Sequence, residues 1–280
     1  MAFTTLISVD ELAANLDNPD FIIFDCRHEL TNPDFGAAEY AKSHLPHAHF
    51  ASVDRDLSTK PTGTNGRHPL PDANTFAAWL GRMGVTEGKQ VVGYDNAAGV
   101  YSSRLWWMLR WLGHDSVAVL NGGWQAWLRA GKPTTTDIPE ASPAKFVPHV
   151  RDVNVDADYV LTNLDSGNML VVDARSNDRF HGQNETIDPV GGHIPGAVNR
   201  LFKNNVDDSG QFRPGEALQR EFRALIGTTP VSNVVHQCGS GVSACHNLLA
   251  MELAGMSGSK LYPGSWSEWV ADPKRPVATD

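Results

Sequence analysis

An internal repeat constrains the fold of this chain more strongly than any other feature of its sequence. Four segments of the first half return in the second half, in the same order and at similar spacing. The matched pairs are FIIFDCR (21–27) with MLVVDAR (169–175), SHLPHAHF (43–50) with GHIPGAVN (192–199), VVGYDNAAGVYSSRLWWMLRWLG (91–113) with VVHQCGSGVSACHNLLAMELAG (234–255), and LNGGWQAW (120–127) with LYPGSWSEW (261–269). Chance explains one such match but not four in one order, so the chain contains two copies of one structural unit.

Each copy alternates short apolar runs with longer amphipathic stretches. Six short apolar runs, most of them rich in Val or Ile, predict strands: FIIFD, VVGYD and VAVL in the first copy, and LVVDA, NVVHQ and KLY in the second. Strands that alternate with helices form a mostly parallel sheet with helices on both faces. We therefore predict an α/β fold with two tandem domains, residues 1–133 and 151–280. The segment 134–150 lacks periodicity, is rich in Pro, Thr and Ala, and is the predicted linker.

Composition argues against several classes of function. The 280 residues carry a net charge of -9 and no run of Lys or Arg, so we expect no nucleic-acid partner. No apolar stretch is long enough to predict a membrane span, and the N-terminal residues lack the pattern of a secretory signal. Three cysteines are too few for a disulfide framework, which favours a cytoplasmic protein. No CxxC pair and no HExxH motif occurs, so no metal site is expected.

Polar or reactive side chains stand at the ends of the predicted strands, where the sites of open α/β sheets lie. Asp25 and Asp173 end one strand in each copy. Asn96 and Cys238 end another, aligned through the Gly-Val pair that follows each of them. The first copy thus carries an amide where the second carries a thiol. We predict that the first copy has a supporting role and that the second copy reacts.

The loop after Cys238 is suited to activate its thiol. Gly239 and Gly241 can adopt positive φ and turn backbone N–H groups inward, which forms a cradle for an anion. A helix predicted to begin near Ser243 adds the positive end of its dipole, and the hydroxyl groups of Ser240 and Ser243 add further donors. Such a cradle stabilises the thiolate, which is the nucleophilic form of cysteine. The alternative is a small, buried and inert cysteine.

Two kinds of chemistry use a cysteine in a loop of this type. Cysteine phosphatases clamp the phosphate with an arginine at the position that Ala244 takes here, which argues strongly against that activity. The other chemistry moves a sulfur atom: the thiolate attacks a sulfane sulfur, holds it as a persulfide and passes it to an acceptor. A persulfide anion needs many weak N–H and O–H donors rather than one strong cation, and a small neutral loop supplies them.

The sequence resembles the two-domain rhodanese family of sulfurtransferases over almost its whole length. The tandem repeat, GHIPGA at 192–197, YPGSWSEW at 262–269 and the Cys238 loop carry this resemblance. The loop CGSGVSAC is similar to CGSGVTAC of the 3-mercaptopyruvate sulfurtransferases, whereas members that prefer thiosulfate, a dianion, usually carry basic residues there. The resemblance implies sulfur transfer from 3-mercaptopyruvate through a Cys238 persulfide. Thiosulfate is the alternative donor, and a non-catalytic rhodanese-like binding module is the third alternative.

The resemblance also implies the residues that bind the donor. Arg179, in NDRF shortly before GHIPGA, corresponds to an arginine that holds the substrate carboxylate. The alternative is a surface arginine paired with Asp178 or Asp173. The interval 181–191 contains no second Arg or Lys, unlike that of many mercaptopyruvate enzymes. The remaining predicted substrate-binding residues belong to the cysteine loop: Gly239, Gly241, Val242 and Ser243.

A proton relay is implied as well, joining Ser240 to a histidine and an aspartate of the first domain. His68 is the predicted histidine because HPLP at 68–71 matches the family pattern His-x-Leu-Pro; the alternative is a loop histidine in a contact between domains. Asp54 in SVDRD is the predicted aspartate, although Asp56 is equally near. Such a relay would move a proton during sulfur release.

The resemblance implies no cofactor. The expected partners are a small-molecule sulfur donor and an acceptor, which is a thiol such as thioredoxin or glutathione, or cyanide. A two-domain chain of this kind can act as a monomer.

Overall fold

The computed structural model describes residues 2–280, and their contacts divide the chain into two compact units. The first unit comprises the residues up to Thr59, Pro71–Asp152 and Val206–Phe212; the second comprises Lys60–Leu70, Val153–Asn205 and Arg213–Asp280. Each unit therefore includes a short segment from the other half of the sequence. The two units therefore differ in extent from the predicted domains 1–133 and 151–280. The repeat identifies equivalent strands and helices, but it does not show where the loops between them pack.

The predicted linker 134–150 is assigned to the first unit by its contacts. The N–H of Ala144 donates to the carbonyl of Gly81 at 2.8 Å, and the N–H of His149 donates to the carbonyl of Leu112 at 2.8 Å. The segment has no regular secondary structure, in agreement with its lack of periodicity. Backbone hydrogen bonds nevertheless fix it along the helices of the first unit.

The first unit is built on a parallel sheet of five strands in the order β1-β5-β4-β2-β3. The strands are β1 Leu6–Ile7, β2 Phe21–Asp25, β3 Ala48–Phe50, β4 Gln90–Tyr94 and β5 Val117–Leu120. The helices are α1 Val9–Ala13, α2 Phe35–Lys42, α3 Ala73–Arg82, α4 Ser102–Trp111 and α5 Gly123–Arg129. Every residue of β4 and β5 is buried, as expected for continuous apolar strands inside a parallel sheet. The three strands predicted in this copy are found.

The second unit has a parallel sheet of four strands in the order β7-β6-β8-β9. The strands are β6 Leu170–Asp173, β7 Val198–Asn199, β8 Val234–Gln237 and β9 Lys260–Leu261. The helices are α6 Ala157–Asn163, α7 Asn177–Phe180, α8 Gly215–Ile226, α9 Ala244–Leu253 and α10 Ser265–Trp269, with short 3-10 turns at Phe202–Asn205 and Val231–Asn233. The predicted α/β class is confirmed. No helix within residues 2–280 has the length and apolar character needed to cross a bilayer.

A buried ion pair repeats at the same place in both units. Arg27 binds Asp25, the last residue of β2, at 2.6 Å, and its guanidinium lies 4.2 Å from the ring centre of Trp124. Arg175 repeats these contacts in the second unit, at 2.5 Å from Asp173 and 4.5 Å from the first tryptophan of α10. Buried charges persist when they are paired and hydrogen-bonded. These two aspartates therefore serve the fold of their units.

Candidate active site

Cys238 directly follows β8, a fully buried inner strand of the second sheet. The loop after it is short, and α9 begins at Ala244 with Ser243 as its N-terminal capping position. This start agrees with the helix that the sequence predicts near Ser243. The Cys238 residue is 2% exposed, so protein groups rather than water surround its thiol. The cysteine thus lies between a strand end and a helix N-terminus, as expected.

The two glycines of the loop differ in how strictly the structure requires them. The N–H of Gly241 donates to Cys238 Sγ at 3.1 Å. Gly241 has φ +76°, and a Cβ there would lie 2.2 Å from the carbonyl oxygen of Pro263. Gly239 does not have the positive φ that the sequence allows it. A Cβ at this position would lie 2.7 Å from Nη2 of Arg67, the end of a flexible side chain, so a side chain here requires that Arg67 move.

The beginning of α10 holds the cysteine loop in place. The Ser265 hydroxyl accepts a hydrogen bond from the N–H of Cys238 at 3.1 Å. The N–H of Trp266 donates to the carbonyl of Cys238, and the N–H of Ser267 to the carbonyl of Gly239, both at 3.0 Å. Ser265 is fully buried and has φ +55°, an unusual conformation for a residue with a side chain. Sequence reasoning missed Ser265, although it lies in the repeated YPGSWSEW segment.

His68 and Ser240 of the predicted relay lie in contact. His68 Nδ1 is 2.7 Å from Ser240 Oγ, and both residues are buried. His68 belongs to the second unit because the segment Lys60–Leu70 packs there. The N–H of Arg67, the residue before it, donates to Ser267 Oγ at 3.0 Å and fixes the segment beside the cysteine loop. A hydroxyl and an imidazole at this distance can exchange a proton.

The predicted aspartate of the relay lies in the first unit. Asp54 Oδ2 is 3.8 Å from Nδ1 of His28, and its side chain is about one-third exposed. Asp56, the alternative, accepts a hydrogen bond from the N–H of Ser52 at 2.8 Å and so closes a local turn. Burial raises the pKa of Asp56, while the Ser52 hydrogen bond opposes this effect. The participation of Asp54 in the relay stays a prediction.

Arg179 lies in α7 and forms two ion pairs that the sequence did not predict. Its Nε is 2.8 Å from Glu185 Oε2, and its Nη2 is 3.0 Å from Asp188 Oδ2. Its guanidinium therefore binds acids of the following loop and not Asp178 or Asp173. The same Nη2 lies 3.8 Å from the position that a Cβ on the loop glycine after Cys238 would take. Arg179 is thus beside the cysteine loop, as the donor-binding hypothesis requires.

Arg67 is a second cation at this place, and sequence reasoning missed it. Its Nη1 forms an ion pair with Asp188 Oδ1, and its Nη2 is the atom that lies against Gly239. Burial raises the pKa of Asp188, and the charge of Arg67 opposes that effect. The cysteine loop contains no cation of its own, yet Arg67 and Arg179 bring two guanidinium groups to it from distant segments.

The counterpart of Cys238 in the first unit is Asp95, and not Asn96 as predicted. Asp95 directly follows the β4 residue that pairs with the last residue of β2. Cys238 directly follows the β8 residue that pairs with the last residue of β6, the equivalent strand. The N–H of Trp124 donates to the carbonyl of Asp95 at 2.8 Å, as the N–H of Trp266 does to that of Cys238. The loop of the first unit is one residue longer before its helix, and alignment through the Gly-Val pair therefore selected the next residue.

The carboxylate of Asp95 fills the cradle that follows it. Oδ1 accepts hydrogen bonds from the N–H groups of Ala97 at 2.7 Å and Gly99 at 2.9 Å. Oδ2 accepts from the N–H groups of Tyr101 and Ser102, and from the Ser102 hydroxyl, each at 2.8 Å. The backbone of this repeated loop can therefore converge on an anion, which is the property predicted for the Cys238 loop.

Comparison with known proteins identifies the family of this chain. The family model described as "Rhodanese-like domain" matches residues 8–130 and 156–272. The chain is 44% identical over 282 residues to the "Probable 3-mercaptopyruvate sulfurtransferase" of Pseudomonas aeruginosa (100% of this chain, 99% of that protein). It is 37% identical over 278 residues to the "Putative thiosulfate sulfurtransferase SseB" of Mycobacterium tuberculosis (97% and 96%). The 3-mercaptopyruvate sulfurtransferase from Leishmania major superposes with a TM-score of 0.84 at 31% identity, over 98% of this chain and 75% of that one. The chain therefore belongs to the rhodanese-like family and contains two rhodanese-like domains.

Proposed function

We propose that this protein is a sulfurtransferase that moves a sulfane sulfur from 3-mercaptopyruvate to a thiol or to cyanide through a persulfide on Cys238. The observation that carries the proposal is the hydrogen bond from the Gly241 N–H to Cys238 Sγ at 3.1 Å, in a loop that leads into a helix N-terminus. Such donors stabilise a thiolate and the persulfide anion that replaces it. The names of the relatives, which include sulfurtransferases for both donors, support this function.

The first half-reaction forms one bond and breaks one. The Cys238 thiolate attacks the sulfur of 3-mercaptopyruvate, an S–S bond forms, and the C–S bond breaks with its electron pair on carbon. The leaving group is the enolate of pyruvate, which must take up a proton. Ser240 and His68, 2.7 Å apart, can pass this proton to the carbon, and the proton of the new persulfide then restores the relay.

The second half-reaction returns the enzyme to its starting state. An acceptor thiolate attacks the outer sulfur of the persulfide, takes that sulfur, and releases the Cys238 thiolate. Cyanide would leave as thiocyanate by the same displacement. Thioredoxin and glutathione are suitable acceptors, and we place the reaction in the cytoplasm because all three cysteines are free thiols. We propose that the chain acts as a monomer.

Thiosulfate is the second candidate donor, and one observation favours it. Arg67 and Arg179 bring two guanidinium groups against Gly239, and a dianion benefits more from nearby cations than a monoanion does. Attack by Cys238 on the outer sulfur of thiosulfate would release sulfite with the bonding electron pair. This step requires no proton for the leaving group.

Mass spectrometry of the purified protein tests the proposed function. Incubation with 3-mercaptopyruvate or thiosulfate should add one sulfur atom to the peptide that contains Cys238. Cys238→Ser should take up no sulfur, whereas Cys245→Ser, which changes a buried helix residue, should still be loaded. No adduct with either donor would refute sulfur transfer. We expect kcat/KM to be higher with 3-mercaptopyruvate; a tenfold preference for thiosulfate, about 1.4 kcal/mol, would reverse the donor assignment.

A further inference from the structure

We propose that Ser265 is a positioning residue for sulfur transfer: its hydroxyl fixes the peptide group of Cys238 and so sets the direction in which the thiol points. The inference rests on the proposed function and deepens it, because it assigns a role to a residue outside the cysteine loop. Ser265 is the first residue of α10 and is fully buried. It acts through Cys238 and takes no part itself in bond making or proton transfer.

Ser265 has a backbone conformation that favours glycine. Its φ is +55°, a value that costs free energy in any residue with a Cβ. The equivalent residue of the first unit is Gly123, the first residue of α5, and its φ is also +55°. A Cβ on Gly123 would lie 2.4 Å from the carbonyl oxygen of Asp95. The repeated fold thus suits glycine at this position, and the serine of the second unit occupies it at a steric cost, which points to a function that glycine cannot fulfil.

The Ser265 hydroxyl contacts the backbone of the reactive residue. Its Oγ accepts from the N–H of Cys238 at 3.1 Å and donates to the carbonyl of Tyr262 at 2.9 Å. Because the second bond uses the one proton of the hydroxyl, a lone pair of the oxygen is free to face the Cys238 N–H. Gly123 has no side chain and cannot form either bond in the first unit. The serine therefore gives the second unit an acceptor for a buried N–H group that its counterpart does not supply.

Hydrogen bonds fix both of the peptide groups that flank the Cα of Cys238. In the preceding peptide group, the carbonyl of Gln237 accepts from the N–H of Ala174 at 2.9 Å, and the N–H of Cys238 donates to Ser265. In the following one, the carbonyl of Cys238 accepts from the N–H of Trp266 at 3.0 Å. When both peptide planes are fixed, the tetrahedral Cα also fixes the direction of its bond to Cβ. Rotation about that bond is then the one motion left to the sulfur.

The thiol depends on this backbone anchor more than the carboxylate of the first unit would. The Asp95 carboxylate accepts from four N–H groups and one hydroxyl, so its own loop fixes its side chain. Sγ of Cys238 accepts from the N–H of Gly241 at 3.1 Å, and sulfur is the weaker acceptor. Attack on the donor requires that the sulfur be correctly aimed, and a displacement of about 1 Å can lower a rate about 10²-fold. Loss of the Ser265 hydroxyl should therefore slow the chemical step and leave donor binding unchanged.

Two variants separate the hydroxyl from the backbone strain. Ser265→Ala removes the hydroxyl and keeps the strain, whereas Ser265→Gly removes both and copies the first unit, so the Ala variant should unfold at a temperature about 3 °C lower than the Gly variant. The rate of Cys238 persulfide formation at saturating 3-mercaptopyruvate, measured by rapid quenching and mass spectrometry, should fall about thirtyfold in both. KM should stay within about twofold of the wild-type value. Ser103→Ala, the matched control, removes a buried hydroxyl that bonds a backbone carbonyl in the first unit and should leave the rate unchanged.

A wild-type rate in Ser265→Gly would overturn the inference. A rate that falls in Ser265→Ala alone would also overturn it, because the rate would then follow the strain, and so would a raised KM at an unchanged maximal rate. If Ser265→Ala does not fold, Ser265→Gly decides alone, since glycine is the residue that the first unit has here. Prolonged incubation with donor separates this inference from the proposed function. Equal loading rates in the wild type and Ser265→Gly reject only the role of Ser265, whereas a wild type that neither donor loads rejects sulfur transfer itself.

Discussion

In each unit, an inner strand is followed by a loop of the same design, but the two loops surround different atoms. In the first unit the N–H of Gly99 donates to a carboxylate oxygen of Asp95 at 2.9 Å. In the second unit the N–H of Gly241 donates to the sulfur of Cys238 at 3.1 Å. Both loops share this arrangement of backbone N–H donors, so the side chain at the end of the strand determines what the loop can do. A carboxylate there binds its own loop permanently, and a thiolate there can attack another molecule.

The strongest test of this comparison is to give the second unit the side chain of the first. Cys238→Asp should abolish persulfide formation and lower kcat/KM by at least about 10³-fold, because the nucleophile is lost. The fold should persist, since the same loop in the first unit accommodates a carboxylate. Sulfurtransferase assays, with circular dichroism as the control for folding, measure both effects. An unfolded Cys238→Asp protein would show that the two loops are not equivalent.

Removing the carboxylate from the first unit should mainly reduce stability. Asp95→Ala leaves the buried N–H donors of its loop without an acceptor, which should lower the free energy of unfolding by about 4 kcal/mol. Asp20→Ala, an exposed acid, is the control and should change it by less than about 0.5 kcal/mol. Denaturant titration measures the difference. Equal stability of the two variants would contradict a structural role for the Asp95 cradle.

The two loop glycines should differ in their tolerance of a side chain. Gly241→Ala would place a Cβ 2.2 Å from a backbone carbonyl, whereas at Gly99 the nearest atom is a Phe212 side-chain carbon at 3.1 Å. Both have positive φ, so the backbone strain is shared. We expect Gly241→Ala to cost about 3 kcal/mol, clearly more than Gly99→Ala, because a side chain can move and this carbonyl cannot easily do so. Similar losses in denaturant titrations would contradict the tighter packing of the reactive loop.

Acid should destabilise the second unit through a histidine of its inner strand that has no counterpart at the equivalent position of the first unit. Burial lowers the pKa of His236, on β8, to about 3, and the equivalent residue on β4 is Gly93. Between pH 3 and the unfolded value near 6.5, the unfolded chain binds the extra proton, so stability is lost as the pH falls. From pH 7 to pH 5 the free energy of unfolding should fall by about 2 kcal/mol more in the wild type than in His236→Asn. If the free energy of unfolding of the wild type and of His236→Asn changed in parallel with pH, this prediction would be wrong.

The smallest expected effect concerns the proton relay. Counted back from the helices, the counterpart of Ser240 is Ala98, so Ser240→Ala makes the second loop more like the first. We expect kcat with 3-mercaptopyruvate to fall about tenfold, since water replaces the hydroxyl only in part. The loss with thiosulfate should be smaller, because sulfite leaves without a proton. An equal loss with both donors would instead indicate that Ser240 positions the loop.

Local patterns and the repeat predict much of this molecule. The six short apolar runs form strands, and α9 begins where the Cys238 loop ends. The α/β class follows from the alternation of these strands with helices. The ion pairs of Arg67 and Arg179 with Asp188 could not be predicted, because they join segments far apart in the sequence that the repeat does not relate. The assignment of Asn96 failed for a different reason. The loop of the first unit has one extra residue. An alignment made through the Gly-Val pair, on the helix side of the loop, is therefore shifted by one residue at the strand end.

The assignment of Lys60–Leu70 to the second unit has a consequence for how this gene can be divided. A C-terminal half beginning at residue 151 carries Cys238 and its loop but neither His68 nor Arg67. Recombination that transferred this half alone would therefore move the nucleophile without the histidine that contacts Ser240. The two halves of the duplication look separable in the sequence, yet the reactive half is complete only when the short segment encoded in the other half is inherited with it.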